Sequence, residues 1–455
     1  MAPSRHRGRR AASLLVVLLA ALALALPSTQ GVALAGSTLD PAAAAAGWAG
    51  RQLKDGERVE SPAGADYGLT ADVVLGLAAT GVGRDAADRA TTWLSRNVDA
   101  YFRGGSGKDI NTGGLAKLAL LAQVQHRDPN DFGGQDLLLA LHEQMRDDGQ
   151  FFQLLYGKPA ATTFTQSLAL LALYRQGRDA VPAKAVDFLV RTRCADGGFP
   201  VFYWTEQSEC RSDTDGTGIV VQALLAVGRA DAAAPALDWL QGRQNAEGGF
   251  GGAGPTAQAN SNSTALAVQA LRAGGRAEAA DRGLAWLLGR QVGCSGPAVD
   301  RGAVGHQHPV VTGSTLRSTA QVIPALAGKS LAEIDGATGR PDLPTLICPP
   351  TSSTTPSPTS PTAPPTTTAG NTPTSSTAPT TAVPAPVAPP VTKIPAAQGN
   401  LGGGHKPRPR AARTSTESLA RTGADVGDLV VLGTVLVFAG LTLVVLARTR
   451  RRAAR

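Results

Sequence analysis

One unit of sequence recurs six times, and it confines the chain to a repeat architecture. Each copy has a helix-forming segment with a large apolar anchor, a turn, a polar loop and an Ala/Leu/Val segment. The anchors are Trp48, Trp93, Leu141, Phe188, Trp239 and Trp286, spaced 45 to 51 residues apart. A period of that size marks stacked supersecondary units that cannot bury their apolar faces alone. The turns read Asp147-Asp148-Gly149, Asp196-Gly197-Gly198-Phe199 and Glu247-Gly248-Gly249-Phe250. The second segments run out at Gly81, Gly177, Gly228, Gly274 and Gly328, each a candidate left-handed C-cap.

The two segments of a unit differ in a way that decides their places. AADRATTWLSRN and AAPALDWLQGRQ carry charge on one face and apolar groups on the other, as a helix with one wet side does. TGIVVQALLAVG and STALAVQALRAGG are apolar nearly all round, as a helix covered on both sides is. First helices therefore belong outside and second helices inside. Six such pairs predict an all-α fold, an α6/α6 toroid or double-layered barrel over residues 36–348. The longer first-to-second loops fall on one end, where a central cavity would open.

On the Trp and Gln of Trp239 to Gln244 and Trp286 to Gln291, the Gly-Gly-Phe turns and the run Ser263 to Ala267, residues 40 to 335 resemble a known family. It is the squalene cyclase-like α/α toroid of terpenoid cyclases and protein prenyltransferases. The resemblance implies the fold; the same toroid carries enzymes and non-enzymes, so function has to come from the site. In class II triterpene cyclases an Asp-x-Asp-Asp-Thr run supplies the acid that protonates an alkene. The resemblance implies Asp215 as proton donor and Asp213 as its partner. Gly216 stands where the third carboxylate would be, and the next repeat has Asn260, Asn262 and Thr264 in the same register. That pattern points to capping of the inner helices as the plainer role.

Aromatic residues make up only 4% of the chain, and four of the five Trp are spent as anchors. The rest cluster: Phe151, Phe152 and Tyr156 in the third loop, and Phe199, Phe202, Tyr203 and Trp204 in the fourth. Together with Asp213 and Asp215 they form a candidate rim for a sugar or an apolar ligand. No metal or cofactor is expected. The Asp-x-Cys of zinc-dependent prenyltransferases does not occur, and His306 and His308 lack a carboxylate or thiolate at ligand spacing. The four cysteines allow three disulfide connectivities; the economical one pairs Cys194 with Cys210 and Cys294 with Cys348.

Outside the repeats the sequence reads as delivery and mounting. Residues 1–35 have a basic start, an apolar run from Ala11 to Leu26 and small residues before Gly36, the pattern of a signal peptide. Residues 349–418 are dominated by Thr, Pro, Ser and Ala, a composition that cannot bury a core and forms an extended stalk, up to about 200 Å long. Residues 419–455 hold Leu419-Ala420-Arg421-Thr422-Gly423, an apolar run over 429–447 and an Arg-rich tail. This order resembles an actinobacterial sortase sorting signal, with cleavage between Thr422 and Gly423. Sortase and peptidoglycan are then the implied partners, a retained single-pass membrane helix being the alternative. The formal charge of +8 largely follows these ends: Arg5, Arg7, Arg9 and Arg10 give four, and the C-terminal arginines less Asp425 and Asp428 give three. Nucleic acid loses its main support.

The reading is an exported, cell-surface toroid whose mouth binds a small molecule or glycan, with no demonstrated catalysis. Its rivals are a cyclase-like enzyme with a degenerate acid motif and a wall-polysaccharide hydrolase or lyase. A corrinoid binder is disfavoured, because a stalk and not a small β domain follows Cys348.

Overall fold

The two kinds of segment fold as their faces dictate. The computed structural model describes residues 37–104, 109–203 and 206–349. The expected signal peptide, stalk, sorting motif at Leu419, Thr422 and Gly423 and membrane helix, and Trp204, lie outside the described residues. Repeat one contains α1 (Pro41–Arg51) and α2 (Tyr67–Thr80), and repeat two α3 (Arg84–Arg96), the short α4 (Val98–Phe102) and α5 (Thr112–Val124). Repeats three and four pair α6 (Leu137–Glu143) with α7 (Thr163–Tyr174) and α8 (Ala183–Arg191) with α9 (Thr214–Ala226). Repeats five and six pair α10 (Ala230–Arg243) with α11 (Ser261–Ala273) and α12 (Ala277–Leu288) with α13 (Thr315–Leu326). Among the described residues no helix is long and apolar enough to cross a membrane.

On α3 the buried residues are Ala86, Ala87, Ala90, Thr91 and Leu94, a single stripe at helical spacing. On α9 every residue except Leu225 is buried. The first helices form the outer layer, and the second helices form a ring in which α2, α5, α7, α9, α11 and α13 each pack on the next. Contacts between α13 and α2 close the circle.

The turns join the layers through buried polar side chains. Gly248 sits at φ +95°, and a Cβ there would come 2.5 Å from the carbonyl oxygen of Arg282 in the next outer helix. Gly149, at φ +92°, would collide in the same way with Lys184. Only glycine meets both demands. The N–H of the following aromatic turns inward and donates to the inner helix: Phe199 to Thr217 Oγ1 and Phe250 to Thr264 Oγ1, both at 2.9 Å. In the third repeat Gln166 does this work with three bonds, accepting from Phe151 N and donating to the carbonyls of Gly149 and Ala185, all at 2.9 Å. Replacing it by Leu strands three buried backbone groups at about 1–3 kcal/mol each. Gln166→Leu should therefore lower the unfolding free energy by at least ~3 kcal/mol in urea titration. An unchanged midpoint would deny the joint its role.

The expected C-caps hold at Gly81, Gly228 and Gly328, with φ of +64°, +83° and +67°, and Gly177 also has positive φ. Gly274 is the exception: its φ is −86°, and the adjacent Gly275 takes the left-handed position at +74°. Both disulfides of the economical connectivity are formed, Cys194–Cys210 and Cys294–Cys348.

One element has no signature in the repeat. The segment 329–344 runs back across the C-terminal ends of the inner helices. Leu331 N donates to Gln222 Oε1 on α9, and the Arg175 guanidinium after α7 donates to the carbonyls of Ala332 and Ile334. Gly336 N donates to the Val124 carbonyl at the end of α5, and Arg340 N to that of Gly81 beyond α2. Ile334, within this strap, is fully buried. Beyond it Thr345–Leu346 pairs in parallel with Ser37–Thr38, and Cys348 is bonded to Cys294. The barrel is thereby closed at one end.

Candidate functional site

The site follows from the register of the inner helices. Their first turns are capped by Asp66, Asn111, Thr162, Asp213 and Asn260, whose side chains each accept a backbone N–H. Two residues beyond the cap and again four residues later, one helical turn apart, the side chains face the axis of the ring. The first level presents Phe164, Asp215 and Asn262, and the second Asp72, Lys117, Leu168, Ile219 and Leu266; α13 supplies Arg317 and Gln321. They enclose a cavity of about 330 Å³, within the size range of small-molecule sites. Leu331 of the strap also lines it.

Asp213 and Asp215 are two residues apart and do different work. Asp213 caps α9: Oδ1 accepts from the N–H groups of Asp215 (2.7 Å) and Gly216 (3.3 Å), and Oδ2 from that of Ala253 (2.6 Å). Burial raises its pKa, and the three N–H groups oppose the rise. Asp215 faces the cavity, and the nearby Ser263 side chain favours its charged form. Burial, reinforced by the charge of Asp213, pushes Asp215 up to about 7. Its Oδ1 is buried without a hydrogen-bond partner. The capping expectation thus holds for Asp213 and Asn260 but is corrected for Asp215 and Asn262, whose side chains line the cavity.

The lining has two sides. Phe164, Leu168 and Ile219 form an apolar wall on α7 and α9. Around the rest of the ring, on α13, α2 and α5, two ion pairs are built into the wall: Lys117 Nζ with Asp72 at 2.6 Å, the lysine buried and the carboxylate nearly so, and Arg317 with Asp66 at 2.8 Å. Between them lies a neutral hydrogen-bonding group. His306 Nδ1 is 3.0 Å from Asn262 Oδ1, Ser318 Oγ donates to the same oxygen, and Asn262 Nδ2 donates to Gln321 Oε1. Burial lowers the pKa of His306 and favours its neutral form.

The aromatic residues expected at one rim are placed otherwise. Phe151 and Phe199 are fully buried, because the aromatic of each turn is a core residue of its repeat, as Phe250 also is. Tyr203 packs edge-on against the anchor Phe188 and donates to the Thr162 carbonyl; Phe152 lies under the Arg146 guanidinium. Tyr156 and Phe202 are exposed. None of these six lines the central cavity, and Phe164 is its aromatic side chain among the described residues. No group of three or more His, Cys, Asp or Glu among the described residues is placed to hold a metal ion. His306 lines the cavity while His308 does not. The lining residues not anticipated, Asp72, Lys117, Phe164 and Arg317, share one signal: charged or bulky groups in otherwise small, apolar helix segments, at fixed distances from the cap.

Six helical hairpins in two concentric layers around a cavity define an α/α toroid. The prenyltransferase alpha-alpha toroid domain matches residues 113–345, and the chain belongs to that family. Among curated proteins none matches. The chain is similar to a protein from Actinoplanes at 17% identity, over 64% of this chain and 99% of that one, with a TM-score of 0.47. It is also similar to the type II terpene cyclase MstE from Scytonema at 16% identity, over 63% and 96%, with a TM-score of 0.47. A third similar structure is Candida albicans protein geranylgeranyltransferase-I complexed with GGPP, at 13% identity, over 57% and 84%, with a TM-score of 0.41.

Proposed function

We propose that this chain is an exported, surface-displayed toroid whose central cavity binds a small, largely apolar molecule without converting it. The observation that carries the reading is the cavity itself, with a half-apolar lining and a buried carboxyl oxygen, Asp215 Oδ1, left without a partner. A buried polar atom with no partner costs stability, and a ligand that satisfies it recovers that cost. Display is supported by the sequence alone, through the signal-like start, the stalk and the Leu-Ala-x-Thr-Gly order. Two disulfides among the described residues accord with an oxidising compartment.

A cyclase reading draws on one specific observation, the raised pKa of Asp215, which would keep an acid protonated near neutral pH. Two features weigh against it. Carbocations need aromatic faces, and this lining offers Phe164 alone among the described residues while placing Lys117 and Arg317 in the wall. A two-carboxylate hydrolase is disfavoured too, since both oxygens of Asp213 are committed to backbone N–H groups.

The test is to isolate the chain from the cell-wall fraction and extract it for mass spectrometry. A small molecule should accompany the wild type and be lost from Leu168→Trp, which fills the cavity from α7. Equal recovery from both would overturn the reading. Conversion of an added polyene to a cyclic product, abolished in Asp215→Asn, would replace it with catalysis.

A further inference from the structure

The binding reading says where a ligand sits, and the distribution of polar groups around the ring says what kind it is. We infer that the ligand is an uncharged, edge-amphiphilic molecule: a hydrocarbon body oxygenated along one edge by hydroxyl or carbonyl groups. This rests on the binding reading above.

Three observations carry it. First, the charges in the wall are already matched inside the protein: Lys117 holds Asp72 at 2.6 Å, and Arg317 holds Asp66 at 2.8 Å. A carboxylate, phosphate or ammonium entering the cavity would have to break one of these pairs or stay uncompensated in a poorly polarisable site, at a cost of several kcal/mol per ion. Second, most of the remaining polar groups of the lining are hydrogen-bonding side chains that adjoin one another. Asp215 on α9 and Asn262 on α11 occupy the same register in successive helices, and Asn262 is joined to His306, Ser318 and Gln321. They make one polar edge, not scattered points. Third, Phe164 and Leu168 on α7, with Ile219 one turn along α9 from Asp215, give the lining an apolar side without a polar side chain.

Asp215 sets the sense of the contact. Its Oδ1 has no partner although it is buried. In the neutral acid one oxygen carries the proton, and the carboxyl can donate to a ligand oxygen as well as accept from a ligand hydroxyl. An oxygenated edge fits that position. A bare hydrocarbon leaves Oδ1 as stranded as before, and a ligand polar at one end only leaves the Asn262–Gln321 side unused.

The experiment uses the full chain and four probes of one rigid skeleton: decalin, a decalin diol with both hydroxyls on one edge, decalin carboxylate and decalin ammonium. Binding is read by ligand-observed NMR and titration. The expected result is that the diol binds at least tenfold more tightly than decalin and that both ions bind more weakly than the diol. In Asp215→Leu the diol should lose its advantage while decalin binds undiminished, which shows that the variant keeps a folded cavity. Decalin or either ion binding as well as the diol would overturn this inference and leave the binding reading standing. An undiminished diol advantage in Asp215→Leu would also overturn it. Binding of none of the four would overturn both.

Discussion

Raising the pH from about 4 to about 7 should weaken the fold, and Asp215→Asn should remove most of that slope. The unfolded carboxyl titrates near its ordinary value of 3.8, whereas burial beside Asp213 moves it to about 7 in the folded chain. For an acid with a raised folded pKa, the folded state binds more protons between the two values. Its contribution is therefore complete below about 4, declines as pH rises and is gone above about 7. A shift of this size is worth on the order of 4 kcal/mol. Asp213 is shifted in the same direction, so a residue of slope should survive in the variant. His306, whose pKa burial lowers from 6.5, acts in the opposite sense within this window, whereas the stabilisation from the lowered Asp196 and Asp335 fades only as pH falls below the ordinary carboxylate range. Urea unfolding of wild type and Asp215→Asn at several pH values across this window gives the comparison. Asp215→Asn should be the more stable of the two at the alkaline end. Parallel slopes would mean that Asp215 is ionised in the folded protein.

The second large effect belongs to the ion pair of Lys117 and Asp72 in the cavity wall. Removing one member of a buried ion pair leaves the other uncompensated and costs about 3–5 kcal/mol, whereas replacing both by apolar groups is often neutral or better. Lys117→Met should therefore destabilise the toroid strongly, and adding Asp72→Leu should restore most of the loss. The side chains of Lys117 and Asp72 are 4% and 12% exposed, so solvent offers little relief. Additive losses in the double variant would show that the two residues are not coupled. Restored stability with weakened binding of oxygenated probes would show that the pair is kept for the site.

The fold was legible because it is written six times. Anchors such as Trp239 and Trp286, the Gly-Gly-Phe turns and the contrast between charged-face and all-apolar segments each follow from a local rule, and repetition made the pattern plain. The strap over 329–344 was not legible, because it occurs once and is held by backbone carbonyls and by residues as distant as Arg175 and Gln222. The site was half legible. The sequence picks out Asp213 and Asp215, but their shared register with Asn260 and Asn262 suggests one capping role for all four. Position decides otherwise: the cap residue turns back to its own helix, and the residue two further on faces the ring. The aromatic clusters misled for a related reason. Phe151 and Phe199 stand where every turn needs a core side chain, so their recurrence marked packing. Asp72 and Lys117 lie 45 residues apart in sequence, and nothing local announces that α2 and α5 bring them together.

The most direct measurement of the central claim is a crystal structure of the chain purified from the cell that makes it. Electron density for a small molecule should fill the cavity between Phe164 and Arg317, with a polar atom of the ligand within hydrogen-bond distance of Asp215 Oδ1. A cavity holding only ordered water, or one collapsed onto its own side chains, would contradict a binding role.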